Sequence, residues 1–270
     1  MACRMNIPLD YLTLNRHLWN AKTDYHVASD FYDMAGFRAG KSSLREVELG
    51  LLGDVAGRSI LHLQCHFGQD SLSLSRLGAQ VTGVDLSDKA IAKARELATE
   101  LQLPTKFICS DVYALPQHLH QQFDVVFTTY GVLGWLPDLA KWAAVVAHFL
   151  KPGGQLLLVE FHPVVWMFDN DFTRVEYSYF NRAAIEETET GTYADRAAPI
   201  EHKAISWNHS LSEVLGSLLQ QGLEITHFNE YDYSPYNCFA NLEQIAEHRY
   251  RLRHLPDKLP MLYSVMARKR

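Results

Sequence analysis

Short apolar runs alternate with amphipathic segments from about residue 59 onward, and this alternation predicts strands and helices in turn. The apolar run Ile60 to Leu63 predicts a first strand, and a leucine-rich segment of near-helical spacing then ends at Gly78. A second apolar run, Val81 to Val84, ends at an acid, Asp85. The pattern reads as strand, tight turn, helix and strand, a βαβ unit that favours a parallel sheet.

The same alternation continues along the chain. Ser87 is a good N-cap for the next helix, and the strand that begins at Phe123 is apolar almost throughout, as expected for a sheet covered on both faces. The predicted elements are a helix over Asp88 to Leu101, a strand over Phe107 to Cys109, a strand over Phe123 to Thr128, a helix over Trp142 to Leu150, a turn over Lys151 to Gly154 and a strand over Gln155 to Phe161.

The pattern breaks between His162 and about residue 206, where alternation around Gly191 predicts a small β excursion. Regularity returns in a helix over Leu211 to Gln221 and strands over Leu223 to Asn229 and Met261 to Ala267. The first fifty residues contain amphipathic helical pieces, the third running from Leu44 to Leu52 behind Ser42 or Ser43. These pieces either pack on the sheet or form a lid over its edge.

Composition narrows the function classes. The 270 residues, 47% hydrophobic, suffice for one large α/β domain, and the formal charge of −6 offers no general attraction for nucleic acid. No apolar segment approaches the ~20 residues that span a bilayer, so no membrane partner is expected. The cysteines are scattered without CxxC spacing and no signal-peptide pattern is present, which predicts a cytoplasmic protein; they are Cys3, Cys65, Cys109 and Cys238.

The turn after the first strand and Asp85 should lie together. In a βαβ unit both belong to the carboxyl edge of the sheet, where a nucleoside ligand binds. A carboxylate there can accept hydrogen bonds from both ribose hydroxyls. Only Gly68 stands in a turn where a dinucleotide fingerprint needs three glycines, which argues against a pyrophosphate ligand.

Five segments in this order resemble the class I S-adenosylmethionine-dependent methyltransferases: ILHLQCHFGQD, VTGVDLS, CSDVYALP, FDVVFTTYGVLGWL and LKPGGQLLLVE. The resemblance covers roughly Leu51 to Arg270, and the string LQCHFGQD resembles a bacterial branch whose substrates are largely unassigned. It implies an α/β fold with a Rossmann-like, seven-stranded, mostly parallel sheet and a reversed C-terminal β-hairpin. The expected domains are an N-terminal helical cap at 1–50 and a methyltransferase domain at 51–270, with a substrate-side insertion at about 163–206.

The resemblance also implies S-adenosylmethionine as cofactor and assigns residues to its parts. The turn would pass close to the methionine part, the second strand's end would hold the ribose, and the third and fourth strands' ends would meet the adenine and the methyl group. The residues so assigned are Gln64, Cys65, His66 and Gly68 for methionine, Asp85 and Leu86 for ribose, Asp111 and Val112 for adenine, and Thr129 and Tyr130 beside the methyl group.

Three positions depart from the family pattern. His62 stands where members commonly carry an acid, and Gln64 and His66 stand where they carry glycines. Gln64 offers a side-chain acceptor and His66 could bond the cofactor carboxylate. These imidazoles and the Cys65 thiol also invite a zinc site, but a strand tip leading into a turn points its side chains apart, so no metal is expected.

Methyl transfer from a sulfonium proceeds by in-line displacement. The protein's main task is therefore to align a small-molecule acceptor with the methyl group and to exclude water from the site. If the acceptor must lose a proton, the candidate bases are Tyr130, His162 and His209. His162 could equally be a hydrogen-bonded loop residue, and His209 precedes a helix that Ser210 or Asn208 caps. An aromatic group either packs on the sheet or forms a cup over the substrate: Trp166, Tyr177, Tyr179, Tyr231 and Tyr233.

Two other functions remain open. The altered turn is compatible with a protein that binds S-adenosylmethionine without transferring its methyl group. The βαβ unit with its acid is compatible with an NAD-dependent oxidoreductase, although the absent glycines and the reversed hairpin argue against it. The acceptor atom and the oligomeric state are not encoded in these patterns.

Overall fold

A computed structural model describes residues 7–270, so Cys3 and the start of the expected cap lie outside the described residues. The first helices are α1 (Tyr11–Ala28), α2 (Met34–Arg38) and α3 (Glu46–Leu52). Among residues 7–270, no helix combines the length and the apolar character needed to cross a membrane.

The centre of the molecule is a seven-stranded sheet in the order β3-β2-β1-β4-β5-β11-β8. Strands β1 to β5 are parallel, and β11 runs antiparallel to both β5 and β8. This confirms the predicted fold class, including the reversed C-terminal hairpin. The remaining elements are β1 (Ser59–Leu63), α4 (Gln69–Arg76), β2 (Gln80–Asp85), α5 (Asp88–Glu100), β3 (Lys106–Cys109), β4 (Phe123–Thr129), α6 (Leu139–Phe149), β5 (Leu150–Phe161), β6 (Ile185–Thr190), β7 (Glu201–Ser206), α7 (Leu211–Gln220), β8 (Leu223–Tyr231), β9 (Leu242–Ala246), β10 (Arg249–Leu252) and β11 (Leu262–Lys269).

Both faces of the sheet are covered, which explains the continuous apolar character of β1 and β4. Trp142 of α6 and Val214 of α7 are buried on one face, and Leu52 of α3 and Leu74 of α4 are buried on the other. Burying one such side chain contributes about 1.5–3 kcal/mol relative to exposure. The parallel strands are held from both sides, so their carboxyl ends form one fixed edge.

Two local predictions were wrong. α3 begins at Glu46, not Leu44, because Ser43 Oγ donates to Asp70 at 2.6 Å and the Arg45 amide bonds to Glu48, which starts the helix later. The expected turn at 151–154 is a bulge inside β5, since Leu150 pairs with Phe123 and Gln155 with Val125. The positive φ expected there does occur, at Gly153 with φ +77°.

Two small hairpins extend the fold. β6 and β7 pair antiparallel, as the alternation around Gly191 predicts, whereas residues 175–181 form no strand and contribute one bridge, between Val175 and Phe168. The β9–β10 hairpin between β8 and β11 was not predicted, because its residues do not alternate between buried and exposed positions. α1 lies along β7, where the Asn15 amide bonds both backbone groups of Ile205 at 2.8 and 3.0 Å.

Gly83 of β2 lies where a larger residue does not fit. A Cβ there would come within 2.7 Å of the Phe107 ring and 2.9 Å of the Cys65 sulfur. We expect Gly83→Ala to lower the free energy of unfolding by about 1–3 kcal/mol through overpacking.

The matched control is Gly50→Ala in α3, where nothing lies within 4 Å of a new Cβ. It should raise stability by up to about 1 kcal/mol, since alanine is the better helix former. Urea denaturation of both variants measures the contrast, and equal effects would contradict it.

Candidate functional site

The turn between β1 and α4 has an uncommon backbone. Gln64, His66 and Gly68 all have positive φ, at +57°, +50° and +84°. A non-glycine residue in this region carries strain of about 1–3 kcal/mol, and such strain concentrates at functional sites. The two positions at which the resemblance expects glycine therefore keep a backbone conformation typical of glycine, although they carry glutamine and histidine.

Asp85 at the end of β2 is bonded to this turn. Its Oδ2 accepts the His66 amide at 2.7 Å, and its Oδ1 accepts the Ser87 amide at 2.8 Å. Burial raises the pKa of the Asp85 carboxyl to about 6, partly opposed by these amide bonds. Each oxygen retains a further lone pair, so the carboxylate can still accept from the two hydroxyls of a ribose.

The residues that depart from the family pattern make neutral contacts. The His62 ring bonds Ser71 Oγ at 2.8 Å, and burial lowers its pKa to about 3, so it is uncharged at neutral pH. Gln64 Nε2 donates to the Val132 carbonyl at 2.8 Å, tying the turn to the segment after β4. Burial raises the pKa of the Cys65 thiol well above its usual range, which keeps it protonated. Among residues 7–270 no group of three or more histidine, cysteine or acidic side chains could hold a metal ion.

Side chains of α1 lie directly on the turn. His26 Nδ1 is 2.8 Å from His66 Nε2, and the Trp19 ring is 5.4 Å from the His66 ring. Lys22 is 2% exposed, and its ammonium bonds Glu189 of β6 at 2.5 Å. Sequence analysis missed His26 and Lys22. Their signal is a stripe at helical spacing on α1 that mixes polar residues with Trp19 (Asn15, Trp19, Lys22, His26), where an apolar stripe is normal.

Three buried polar atoms at this point have no hydrogen-bond partner in the protein: Gln64 Oε1, His66 Nδ1 and His26 Nε2. Buried polar groups are normally satisfied, so such atoms call for an explanation. Together they offer an acceptor and two imidazole nitrogens. A ligand with an ammonium and a carboxylate, such as the methionine part of S-adenosylmethionine, would satisfy them, so the residues present fit this cofactor.

The buried histidines predict an acid-sensitive fold. Desolvation lowers the pKa to about 2 for His26 and about 3 for His62 and His66. Below the unfolded value near 6.5 the unfolded chain binds protons that the folded chain does not, so stability falls as pH falls. We expect a slope of up to about 1.4 kcal/mol per pH unit per histidine between pH 6.5 and 5.

Denaturation at several pH values measures this slope. His26→Gln should make it shallower, because a glutamine binds no proton in either state. The control is His118→Gln, which changes an exposed side chain. An unchanged slope in His26→Gln would contradict the prediction.

The ends of β2 and β3 form the edge expected to meet an adenine. Burial raises the pKa of Asp111, while the amides of Tyr113, Ala114 and Val112 bond to the carboxyl and oppose the rise. Val112 is 4% exposed, and the Leu86 carbonyl lies 3.6 Å from the Cys109 sulfur. Leu86, Asp111 and Val112 thus follow two adjacent strands at the same edge as Asp85. Their ligand contacts remain predictions.

The segment after β4 is held by a carboxylate that the sequence analysis did not single out. Glu160 of β5 accepts the amides of Gly131, Val132 and Leu133 at 2.5, 2.7 and 2.9 Å. Tyr130 precedes them with φ +48°, and its hydroxyl donates to Glu48 of α3. Glu48 therefore holds the Tyr130 side chain, and Glu160 holds the backbone of the segment that follows it.

The two candidate histidines are engaged elsewhere. His162 Nδ1 accepts the Val164 amide at 3.2 Å and Nε2 lies 2.8 Å from Glu230 of β8. His209 Nε2 donates to the Leu136 carbonyl at 2.7 Å, and Nδ1 lies 3.3 Å from the Asn181 amide. Within residues 7–270, no hydrogen bond joins either histidine to the turn or to Tyr130, and their roles as bases stay predictions.

The five aromatic residues considered as a cup contact several different parts of the chain, although the rings of Tyr231 and Tyr233 pack together at 5.7 Å. Tyr179 accepts the Leu211 amide at 3.2 Å, Tyr233 donates to Glu46 at 2.9 Å, and Trp166 packs on Phe161 and Phe239. The rings that do meet around the turn and Tyr130 are others, from α1 to the segment after β8: Trp19, Phe31, Tyr32, Trp135, Tyr193 and Tyr236.

Comparison of the sequence with known proteins finds similar proteins of one kind. A family model described as "Methyltransferase domain" matches residues 60–154. The ubiquinone biosynthesis O-methyltransferase of Bordetella bronchiseptica is 30% identical over 193 residues, which are 70% of this chain and 73% of that protein. The enzyme of the same name from Albidiferax ferrireducens is 41% identical over 101 residues, 37% of this chain and 40% of that protein.

Solved structures show the same fold. The S-adenosylmethionine dependent methyltransferase of Mesorhizobium loti superposes with a TM-score of 0.57 at 22% identity, covering 86% of this chain and all of that one. A complex of DhpI with SAM and HEP superposes with a TM-score of 0.58 at 17% identity over 97% of this chain and 100% of that one. The chain spans about half the length of most of the first curated relatives it matches.

Proposed function

We propose that this chain, which belongs to the class I S-adenosylmethionine-dependent methyltransferases, transfers the cofactor's methyl group to a small-molecule acceptor. The observation that carries the proposal is the joining of the strained turn to Asp85, through the 2.7 Å bond from the His66 amide. This bond joins the carboxylate that we propose to bind the ribose to the turn that carries the unpartnered polar atoms, which supports the proposal.

Each residue predicted to bind the cofactor has a role in this proposal. Asp85 and Leu86 would receive the ribose, and Asp111 and Val112 the adenine. Gln64, Cys65, His66 and Gly68 would contact the methionine part. Thr129 and Tyr130 would lie beside the methyl group. What supports these roles is their position at one edge of the sheet, at the carboxyl ends of β1 to β4.

The cofactor supplies an activated methyl group on a sulfonium, so the chain has to orient two reactants and keep water out. Orientation of this kind contributes several kcal/mol to lowering the barrier. The desolvated environment of Asp85, His62 and His66 is consistent with a site that excludes water.

The acceptor atom is proposed to be oxygen. The matching relatives are named O-methyltransferases, and an oxygen acceptor carries a proton that something must take. Tyr130, at the carboxyl end of β4, is the candidate that the geometry favours over His162 and His209. A macromolecular acceptor such as nucleic acid is disfavoured by the charge of −6, and the cytoplasmic location stays a prediction.

Calorimetric titration with S-adenosylmethionine and, separately, with NADH tests the cofactor. We expect micromolar binding of the former and none of the latter. A preference for NADH would indicate the oxidoreductase alternative, and binding of neither would overturn the proposal.

A panel of hydroxyl, amine and thiol compounds then tests transfer, read as formation of S-adenosylhomocysteine. Turnover of a hydroxyl compound supports the oxygen acceptor. Binding of the cofactor without turnover of any compound would favour the non-catalytic binding protein.

A further inference from the structure

A buried hydrogen bond joins Tyr130 to Glu48, two residues far apart in sequence. Tyr130 has φ +48° and is followed by Gly131 at φ +72°, which turns the chain sharply at the end of β4. Its hydroxyl donates to Glu48 Oε2. Glu48 Oε1 accepts the Arg45 amide at 2.5 Å, so both carboxylate oxygens are in use, and Glu48 is 0% exposed.

The groups near Glu48 come from separate parts of the chain. Asp70 of α4 adds a like charge, Tyr236 packs its ring 5.1 Å from that of Tyr130, and the Arg45 guanidinium lies 4.7 Å from the Tyr236 ring. Burial first, and then the charge of Asp70, raises the pKa of Glu48 to about 7, against the bonds from Tyr130 and Arg45. A carboxyl poised near neutral pH is the condition that favours general acid–base work.

A helix cap alone does not account for this arrangement. In a capping box the glutamate needs one oxygen for the backbone amide, and the position is normally at the surface. Here the second oxygen of Glu48 accepts a hydrogen bond from the Tyr130 hydroxyl inside the protein, and another acid, Asp70, lies nearby. Burying the carboxylate in this way costs considerable desolvation energy. Phenylalanine at position 130 would pack among the same rings without requiring a buried carboxylate.

We infer, on the basis of the proposed methyltransferase function, that Tyr130 is the catalytic residue that takes the proton of an acceptor hydroxyl, and that Glu48 is the positioning residue behind it that receives the Tyr130 proton. The substrate class is therefore an alcohol or phenol whose hydroxyl is protonated at neutral pH.

The step balances. The acceptor oxygen forms a bond to the methyl carbon as the carbon–sulfur bond breaks, and the electron pair of that bond stays on sulfur, which becomes a neutral thioether. The acceptor proton moves to Tyr130 Oη, while the proton already on Oη moves to Glu48 Oε2. Tyr130 ends neutral as it began, and Glu48 ends as a neutral acid that returns its proton to water.

The first experiment needs no acceptor. NMR titration of carboxyl-labelled glutamate in the native protein should show one group titrating near pH 7, and this signal should be absent in Glu48→Gln. In Tyr130→Phe its pKa should rise further, because the charged form loses a hydrogen-bond donor. A Glu48 that titrates near its ordinary value, or that does not respond to Tyr130→Phe, would overturn the inference.

The second experiment compares catechol with nitrocatechol, whose hydroxyl is already ionised at neutral pH. In Glu48→Gln we expect methylation of catechol to fall about a hundredfold or more and its dependence on pH near 7 to vanish. Methylation of nitrocatechol should fall far less. Glutamine can still accept the Arg45 amide, so the start of α3 is preserved. The control Glu46→Gln changes an exposed acid of the same helix, bonded to Arg249 and Tyr233, and should alter neither rate.

The outcomes separate this inference from the proposed function. Equal losses with both catechols would mean that Glu48 is only structural. A native protein that binds S-adenosylmethionine but methylates neither catechol would overturn the inference and leave the proposed function standing. A native protein that does not bind S-adenosylmethionine would overturn both.

Discussion

Asp85→Asn is expected to abolish binding of S-adenosylmethionine while changing the stability of the fold only slightly. The carboxylate would accept two hydroxyls, and bonds to a charged group are worth about 1.5–3 kcal/mol each. Asparagine keeps the shape but has one acceptor oxygen and no charge. The loss should therefore exceed about a hundredfold in affinity.

The stability expectation comes from the raised pKa of Asp85, about 6 against the ordinary 3.8. When a carboxyl holds its proton more tightly in the folded state than in the unfolded state, the protein becomes less stable as pH rises from about 4 through 6. At neutral pH the charged form is therefore a cost to the fold, which asparagine removes. The NH2 group of asparagine, however, faces one of the two backbone amides that the carboxylate accepts, so the two effects oppose each other. The same titration predicts that cofactor affinity of the native protein declines below about pH 6.

Calorimetry and thermal denaturation on the same samples test both halves of this expectation. The control is Asp54→Asn, an exposed acid near the opposite, amino edge of the sheet, where it bonds the Ala56 amide at 2.9 Å. It should leave affinity unchanged. Retained affinity in Asp85→Asn would show that the ribose is held elsewhere, and a large drop in melting temperature would show that Asp85 is mainly structural.

Glu160→Ala is expected to destabilise the fold by about 3 kcal/mol or more, because each buried donor left without an acceptor costs about 1–3 kcal/mol. The carboxylate accepts four amides, those of Gly131, Val132 and Leu133 and that of Phe161 at 2.6 Å. Without it these buried donors have no acceptor, and the segment after β4 loses its anchor. Glu160→Gln should also destabilise the fold, because the NH2 group of the glutamine would face backbone N–H groups that need an acceptor.

Urea denaturation measures this effect, with Glu224→Gln on β8 as control, since that acid pairs with Arg268 and Arg270 at the surface. The control should change stability by less than about 1 kcal/mol. A similarly small change in Glu160→Ala would contradict the prediction and would mean that water replaces the carboxylate.

The parts of the site that sequence analysis recovered are local. Gln64, His66 and Gly68 lie within one turn, and Asp85 closes the next strand, so a single βαβ pattern places them at one edge. The parts that it missed depend on contacts between distant segments. Glu48 meets Tyr130 across 82 positions, and His26 meets His66 across 40. Glu160 gave no signal of its own, because its burial depends on packing between segments that are distant in the sequence.

The sequence by itself determined the α/β sheet, the turn and Asp85, because apolar periodicity and turn chemistry act over a few residues and repeat along the chain. Only the tertiary structure decided that α1 lies on the turn, that a carboxylate gathers the amides after β4, and that a phenol is joined to a buried acid. The physical reason is that burial, which sets the pKa of Asp85 and Glu48 and the strength of every bond at the site, arises from packing between segments that no local pattern connects.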